Sequence, residues 1–202
     1  MGSLSIDAEP IVRPGVPPDL LQKARQHDAQ KSPGLAIELR SHLPIDQQVH
    51  AIGATWLDKQ LVGNASTVSG QGFGAQARDA IRDRVDFLAT QGLAEWRGQR
   101  AVLATNLLAT LRDRNLAAAG KTLGEETGQI FRAIQDGEQA RGIYRRSIQL
   151  VSGRFAMLDD GLGFTLVPWR PVVERRLGQQ LSATMRGQSI TWKLRPTQSI
   201  AI

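Results

Sequence analysis

The chain has 202 residues, 41% of them apolar and 22% charged, with no cysteine, a composition that suits one or two small domains with a real core. It excludes a disulfide frame and a thiolate metal site, and no apolar run approaches the roughly 18 residues of a membrane span, so a cytoplasmic protein without membrane insertion is expected. The net charge of +6 arises wholly in the C-terminal part: residues 1–140 hold 15 Lys and Arg against 16 Asp and Glu, whereas residues 141–202 hold 10 against 3.

The first stretch, MGSLSIDAEPIVRPG, has no basic start followed by an apolar segment, so a secretory signal is not expected. Pro10, Pro14, Pro17 and Pro18 mark residues 1–34 as a flexible N-terminal segment, within which Asp19–Gln30 is a marginal helix. Leu35–Leu43 alternates weakly and ends at Pro44. From Pro44 the pattern turns helical, with Ile45, Val49 and Ile52 on one face. Thr55–Val62 is a second short helix that faces Trp56, Leu57 and Leu61 inward. The loop Gly63–Gly74 contains GQGFG, which no convincing strand precedes. It is therefore read as a connector and not as a phosphate-cradling turn.

Ala75–Gln91 is the clearest helix, with Ala77, Ile81, Val85 and Leu88 on one face, Arg78, Arg82 and Arg84 toward another, and Gly92 as the stop. Leu93–Arg97 and Arg100–Leu103 form a hairpin around Gly98. Two helices followed by a hairpin are the order of a winged helix, so residues 35–124 are expected to form a winged-helix-like domain with its wing tip at Arg97–Arg100. Asp79, Asp83 and Asp86 interleave the arginines of its second helix, which argues against a clean basic face. Thr105 caps a further helix through Leu107, Leu108, Leu111 and Leu116 to about Gly120 or Leu123, with Arg112 and Arg114 on its surface. Residues 125–141 read as a polar linker.

Residues 142–202 alternate with a period of two and form a basic β-module. Tyr144, Ile148 and Leu150 are expected on one face of the first strand, followed by Phe155 and Met157, Phe164 and Leu166, Leu181, Ala183 and Met185, and Ile190, Trp192 and Leu194 on later strands. Ser152-Gly153, Asp159-Asp160-Gly161 and Gly187-Gln188 supply the turns, and Pro171 opens a helix stopped by Gly178. The fold class is thus α+β: a winged-helix-like half, then a small curved sheet or partly open barrel carrying one helix. The phosphate-contact candidates are Arg145, Arg146, Arg154, Arg170, Arg175, Arg176 and Arg186, with Arg78, Arg82, Arg97 and Arg100 in the first half. Trp169 and Trp192 suit base stacking or, more simply, a core. A solvated basic face accounts for the charge as readily as a polyanion partner does.

The residues present no catalytic constellation. His27, His42 and His50 share no metal-site spacing, no nucleotide-loop, metalloprotease or serine-hydrolase motif occurs, and no cofactor is implied. The Asp159-Asp160 pair reads as turn chemistry and the lone Tyr144 as core.

GATWLDKQL (53–61), GFGAQARDAIRDRVDFLATQGLA (72–94), LLATLRDRNLAAAGKTLGEETG (107–128) and above all GIYRRSIQLVSGRFAMLDDGLGFTLVPWRPVVERRLGQ (142–179) closely resemble, in collinear order, the C-terminal region of conjugative relaxases, the nucleases that mobilise plasmids. In that family the nuclease is a separate N-terminal domain with a tyrosine nucleophile and three metal-holding histidines. Neither Tyr144 nor the histidines here match those motifs, so no catalytic residue carries over. The resemblance implies a non-catalytic accessory portion, excised or truncated, that assists DNA binding at the transfer origin. Its alternative is a protein-interaction module docking the relaxase to the coupling protein, the relaxosome or the type IV secretion apparatus. A stand-alone transcription regulator is disfavoured by the three aspartates. Relatives commonly end in a Gly/Arg-rich stretch, and this chain departs from them by reading LRPTQSIAI there.

Overall fold

Among the described residues the first element is a short helix that begins directly after Pro44, a residue type suited to a helix start. A computed structural model describes residues 41–63, 72–187 and 189–193, and the chain divides after Pro44 into units 1–44 and 45–202. The expected N-terminal segment, the helix over 19–30 and the last residues from Leu194 onward lie outside the described residues. In the second unit, α1 (Ile45–Val49), α2 (Trp56–Val62) and α3 (Phe73–Thr90) precede a hairpin of β1 (Ala94–Arg97) and β2 (Arg100–Leu103). The long helix α4 (Leu107–Thr127) leads to β3 (Gln139–Leu150), β4 (Gly153–Asp159), β5 (Phe164–Pro168), a 3-10 helix (Pro171–Arg176), β6 (Gln180–Arg186) and β7 (Ser189–Lys193). The architecture is α+β. No described helix is long and apolar enough to cross a membrane.

The short helices depend on their ends. At the start of α2 the Thr55 hydroxyl accepts from the Asp58 backbone N–H (3.3 Å), while Asp58 Oδ2 accepts from the Thr55 backbone N–H (2.7 Å). This capping box satisfies two donors that a helix start otherwise leaves open. Gln48 Oε1 takes a third, the Trp56 N–H, at 3.1 Å.

Arg84 departs from the expected arrangement. The sequence reading sets it beside Arg78 and Arg82, away from the apolar face of its helix, but its side chain is fully buried. Its Nε and Nη2 donate to the two carboxylate oxygens of buried Asp58, each at 2.9 Å. Its Nη1 donates to the carbonyls of Val49 and Ala51, each at 2.9 Å, and Nη2 also donates to Gly53 at 3.0 Å. A guanidinium has five N–H donors, and all five are used. Around this pair lie Val49, Leu57, Ala80 and Ile81, and next to it Ala54, Leu88, Leu93, Leu107 and Leu111.

Gly53 joins this node to the sheet. It adopts φ 139°, and a Cβ there would come within 2.9 Å of Asn115 Oδ1, Ser152 Oγ and the Val151 side chain. The Ala54 N–H donates to Ser152 Oγ at 2.9 Å, and the Ser152 N–H donates to Asn115 Oδ1 at 3.0 Å. The helices, α4 and the β3–β4 turn therefore meet at one polar knot.

The five strands run in the order β5-β4-β3-β6-β7, every neighbouring pair antiparallel. The sheet is open: β5 and β7 come near each other without sharing a ladder. A bulge in β3 at Arg145 shifts its register against β4. An extra residue reverses the facing of everything beyond it. Tyr144 thus joins the inner core with Ala156, Leu158, Val167, Leu181, Ala183 and Met185. Ile148 and Leu150 turn to the opposite face with Phe155, Met157, Phe164 and Leu166, where Leu123 and Leu116 of α4 cover them. Tyr144 and Ile148 were expected on one face, and the bulge separates them.

The stretch read as a linker contains the end of α4, an isolated bridge from Phe131 to Phe164 and the start of β3. Gly120 explains how α4 accommodates it. A Cβ there would overlap the Phe131 ring, which justifies a mid-helix glycine despite its helix-propensity cost of about 1 kcal/mol. The helix starts at Leu107 after Asn106, with no side-chain cap, and not at Thr105 as expected.

Removing one member of a buried ion pair strands the other, at a cost of about 3–5 kcal/mol. Arg84→Met and Asp58→Asn are expected to lower stability by that order, measured by denaturant unfolding. Arg84→Lys is not expected to rescue it, because an ammonium cannot reach both Asp58 and the three carbonyls. Variants within about 1 kcal/mol of the parent would contradict the role given to this pair.

Candidate nucleic-acid interface

Among the proposed arginines, those of the β-module divide by partner. Arg145 stands at the bulge, and its Nε donates to Asp159 Oδ2 at 2.9 Å. Arg146 approaches Glu126 of α4 at 3.8 Å, with both side chains half-exposed. Arg154 bonds Ser147 Oγ at 2.7 Å, pairs with Glu174 at 3.1 Å and stacks on the Trp169 ring, 3.9 Å from its centroid. Arg176 donates to Gln179 Oε1 at 3.3 Å. Arg170, Arg175 and Arg186 are exposed and make no side-chain hydrogen bond or ion pair among the described residues.

Residues 141–202 contain three carboxylates, and the fold engages all of them. Asp159 pairs with Arg145, Glu174 with Arg154, and Asp160 with Arg132 at 2.9 Å. Asp159 and Asp160 also build the β4–β5 turn. Asp159 Oδ1 accepts from the Gly161 N–H at 2.7 Å, and Asp160 Oδ1 accepts from the Leu162 and Gly163 N–H groups at 2.9 Å each. The aspartate pair is turn chemistry, as expected. Arg132, outside the predicted set, is found by its spacing to the turn only once Phe131 is seen bridging to β5.

In the first half the charge balance runs the other way. Arg78 and Arg82 are exposed on α3 together with Asp79, Asp83 and Asp86. With Arg84 buried, these five leave a net negative charge there. Asp86 also accepts from the Trp96 indole at 2.6 Å, tying α3 to the hairpin. At the hairpin tip Arg97 approaches Glu95 at 3.4 Å, with both side chains about two-thirds exposed, and Arg100 is exposed beside it. Such a surface pair contributes little.

The tryptophans of the module are partly buried against the inner core, and their indole N–H groups are buried without an acceptor. Tyr144 is buried in the same core. His27 lies outside the described residues, burial holds His42 below its ordinary pKa, and His50 packs edge-on against Phe87 at 5.3 Å. Among the described residues no cluster of His, Cys, Asp or Glu could hold a metal ion.

Over residues 13–201 the chain matches the model of a family described as a protein of unknown function, DUF3363, and it belongs to that family. No curated protein and no solved structure matches it.

Asp159 offers a test of this electrostatic arrangement. The Gly161 N–H chiefly holds its carboxyl below the usual range, helped by Gln129 and Arg145 and opposed by burial. A carboxylate lowered on folding stabilises the fold fully above about pH 4, its unfolded value, and loses that effect as pH falls through the folded value. Asp159→Asn is expected to be less stable than the parent at neutral pH and to converge with it in strong acid, read by thermal melts. A gap that does not change with pH would contradict this.

Proposed function

We propose that this chain is a non-catalytic accessory portion of a conjugative relaxase that holds DNA at the transfer origin through its β-module. The observation that carries the reading is the engagement of all three module carboxylates in the fold, which leaves Arg170, Arg175, Arg186 and Lys193 as solvent-facing cations. Cations without internal partners are available to phosphates, and counterion release then favours a polyanion. The close resemblance of 142–179 to the C-terminal region of relaxases supplies the biological context. The order α1-α2-α3-β1-β2 supports a winged-helix-like first half. Its mixed-charge α3 suits scaffolding or protein docking better than a DNA groove.

A second reading, docking to a coupling protein or the secretion apparatus, is favoured by one feature. Ile130 and Leu162 are 67% and 74% exposed and flank the same turn, where the Phe164 N–H donates to the Ile130 carbonyl at 2.9 Å.

Binding of the chain to single- and double-stranded origin DNA is expected at low salt and to weaken steeply as salt rises. Replacing Arg170, Arg175 and Arg186 together by Ala should reduce the slope of log affinity against log salt by about 2–3, measured by fluorescence anisotropy. Replacing Arg78 and Arg82 should leave it nearly unchanged. No binding at low salt, or an unaltered triple variant, would overturn the reading. Salt-resistant capture by a purified coupling protein that is lost in Leu162→Asp would favour the second one.

A further inference from the structure

Between the end of α2, the first half of α4 and the β3–β4 turn lies a cleft of about 210 Å³. Lys59, Arg112, Ser152, Gly153 and Arg154 border it over an apolar floor that includes Phe155, and no carboxylate lines it.

Arg112 is the unexplained group. Its side chain is only 16% exposed, and its Nε is buried with no hydrogen-bond acceptor. The carboxylate of Asp113 stands 3.6 Å away and is itself 68% exposed, a loose ion pair beyond hydrogen-bond reach. Arg84, by contrast, has an acceptor for every N–H. A buried Nε–H without an acceptor is costly, and an acceptor oxygen that reaches it would remove that cost.

The neighbours suit an oxyanion. Lys59 is exposed in the last turn of α2 and has no carboxylate partner among the described residues. Ser152 Oγ accepts from the Ala54 N–H at 2.9 Å, and a hydroxyl that accepts still has its own proton to donate. Arg154 is held in place by Trp169, Ser147 and Glu174, and shares its charge with Glu174. Lys59 therefore supplies a charge without a carboxylate partner among the described residues, Arg112 a charge only loosely paired with Asp113, and Ser152 a neutral donor. Several donor-bearing side chains bordering one small cleft suit the tetrahedral oxygens of a phosphate.

We propose that this cleft is a phosphate-binding site, with Arg112 and Lys59 as its charged donors and Ser152 as its hydroxyl donor. The site stands on its own geometry, and only the assignment of its phosphate to a DNA strand rests on the function proposed above. The other source is a free phosphate ester.

The test titrates the full chain with inorganic phosphate against chloride at equal ionic strength, by calorimetry and thermal melts, and separately with a single-stranded oligonucleotide. Phosphate is expected to bind and to raise the melting temperature. Arg112→Gln and Lys59→Gln should each weaken that binding, by roughly tenfold or more for Arg112, while Arg114→Gln, at an exposed position of α4, should not. If Arg112→Gln fails to fold, Lys59→Gln decides alone, because Lys59 is exposed. Displacement of phosphate by the oligonucleotide assigns the site to a strand. Phosphate binding that persists beside the bound oligonucleotide assigns it to a free ester. Phosphate binding that both variants weaken, with no oligonucleotide binding at all, keeps the site and removes the nucleic-acid reading. If neither phosphate nor oligonucleotide binding responds to the two variants, the site is refuted, and DNA binding through Arg170, Arg175 and Arg186 stands apart from it.

Discussion

The helical half is built around the buried guanidinium of Arg84. A charge removed from water must be paired and fully hydrogen-bonded or it unfolds its surroundings. Here that demand fixes three backbone carbonyls in the α1–α2 turn, the carboxylate of Asp58 and hence the cap of α2. The turn so fixed presents the Ala54 N–H to Ser152, and Ser152 in turn engages Asn115 of α4. One charged side chain thus orders three helices and places the β3–β4 turn against them. An apolar residue of similar size would fill the space, but it would leave the carbonyls of Val49, Ala51 and Gly53 without their donor.

The sheet meets a different constraint. Five strands with one apolar face would bury little, but the bulge at Arg145 lets β3 feed two cores. Its first part lines the inner core and its second part lies under α4, so β4 and β5 are buried on both faces. The same bulge sends Arg145 outward to Asp159, while Asp160 meets Arg132 and Glu174 meets Arg154. Each acid of the module serves the fold. The excess of arginine in this part of the chain is therefore a property of its surface, and the proposed contact with a polyanion rests on it.

Much of this arrangement was legible in the sequence. The order of short helices, hairpin, long helix and strands, the strand alternation at Phe155, Phe164 and Leu181, and the Asp159-Asp160-Gly161 turn follow from periodicity and turn chemistry. Arg84 was legible in principle, because it lies seven residues after Ala77 and three after Ile81, positions that share a helix face. Its charge drew it to the wrong side of the wheel, and its partner Asp58 is too distant in sequence to be recognised as such. The bulge leaves no local signal: RRSIQ reads as an uninterrupted strand, and only pairing with β4 reveals the extra residue. The length of α4 was likewise hidden, since Gly120 and Gly124 look like stops until Phe131 is seen lying against the first. Among the candidate arginines, type and count were readable, but partner and exposure were not. Both depend on which carboxylates the fold brings near.

A polar node of buried charge thus holds the helical half to a sheet whose own acids are occupied, leaving a module with free cations and an α3 of balanced or negative charge. The most direct measurement is the ¹⁵Nε side-chain spectrum of the arginines during titration with an origin-strand oligonucleotide. The account predicts shifts at Arg170, Arg175 and Arg186, with Arg78, Arg82, Arg97 and Arg100 unmoved and the Arg84 resonance unchanged. Shifts confined to Arg78, Arg82 and the hairpin arginines would contradict it.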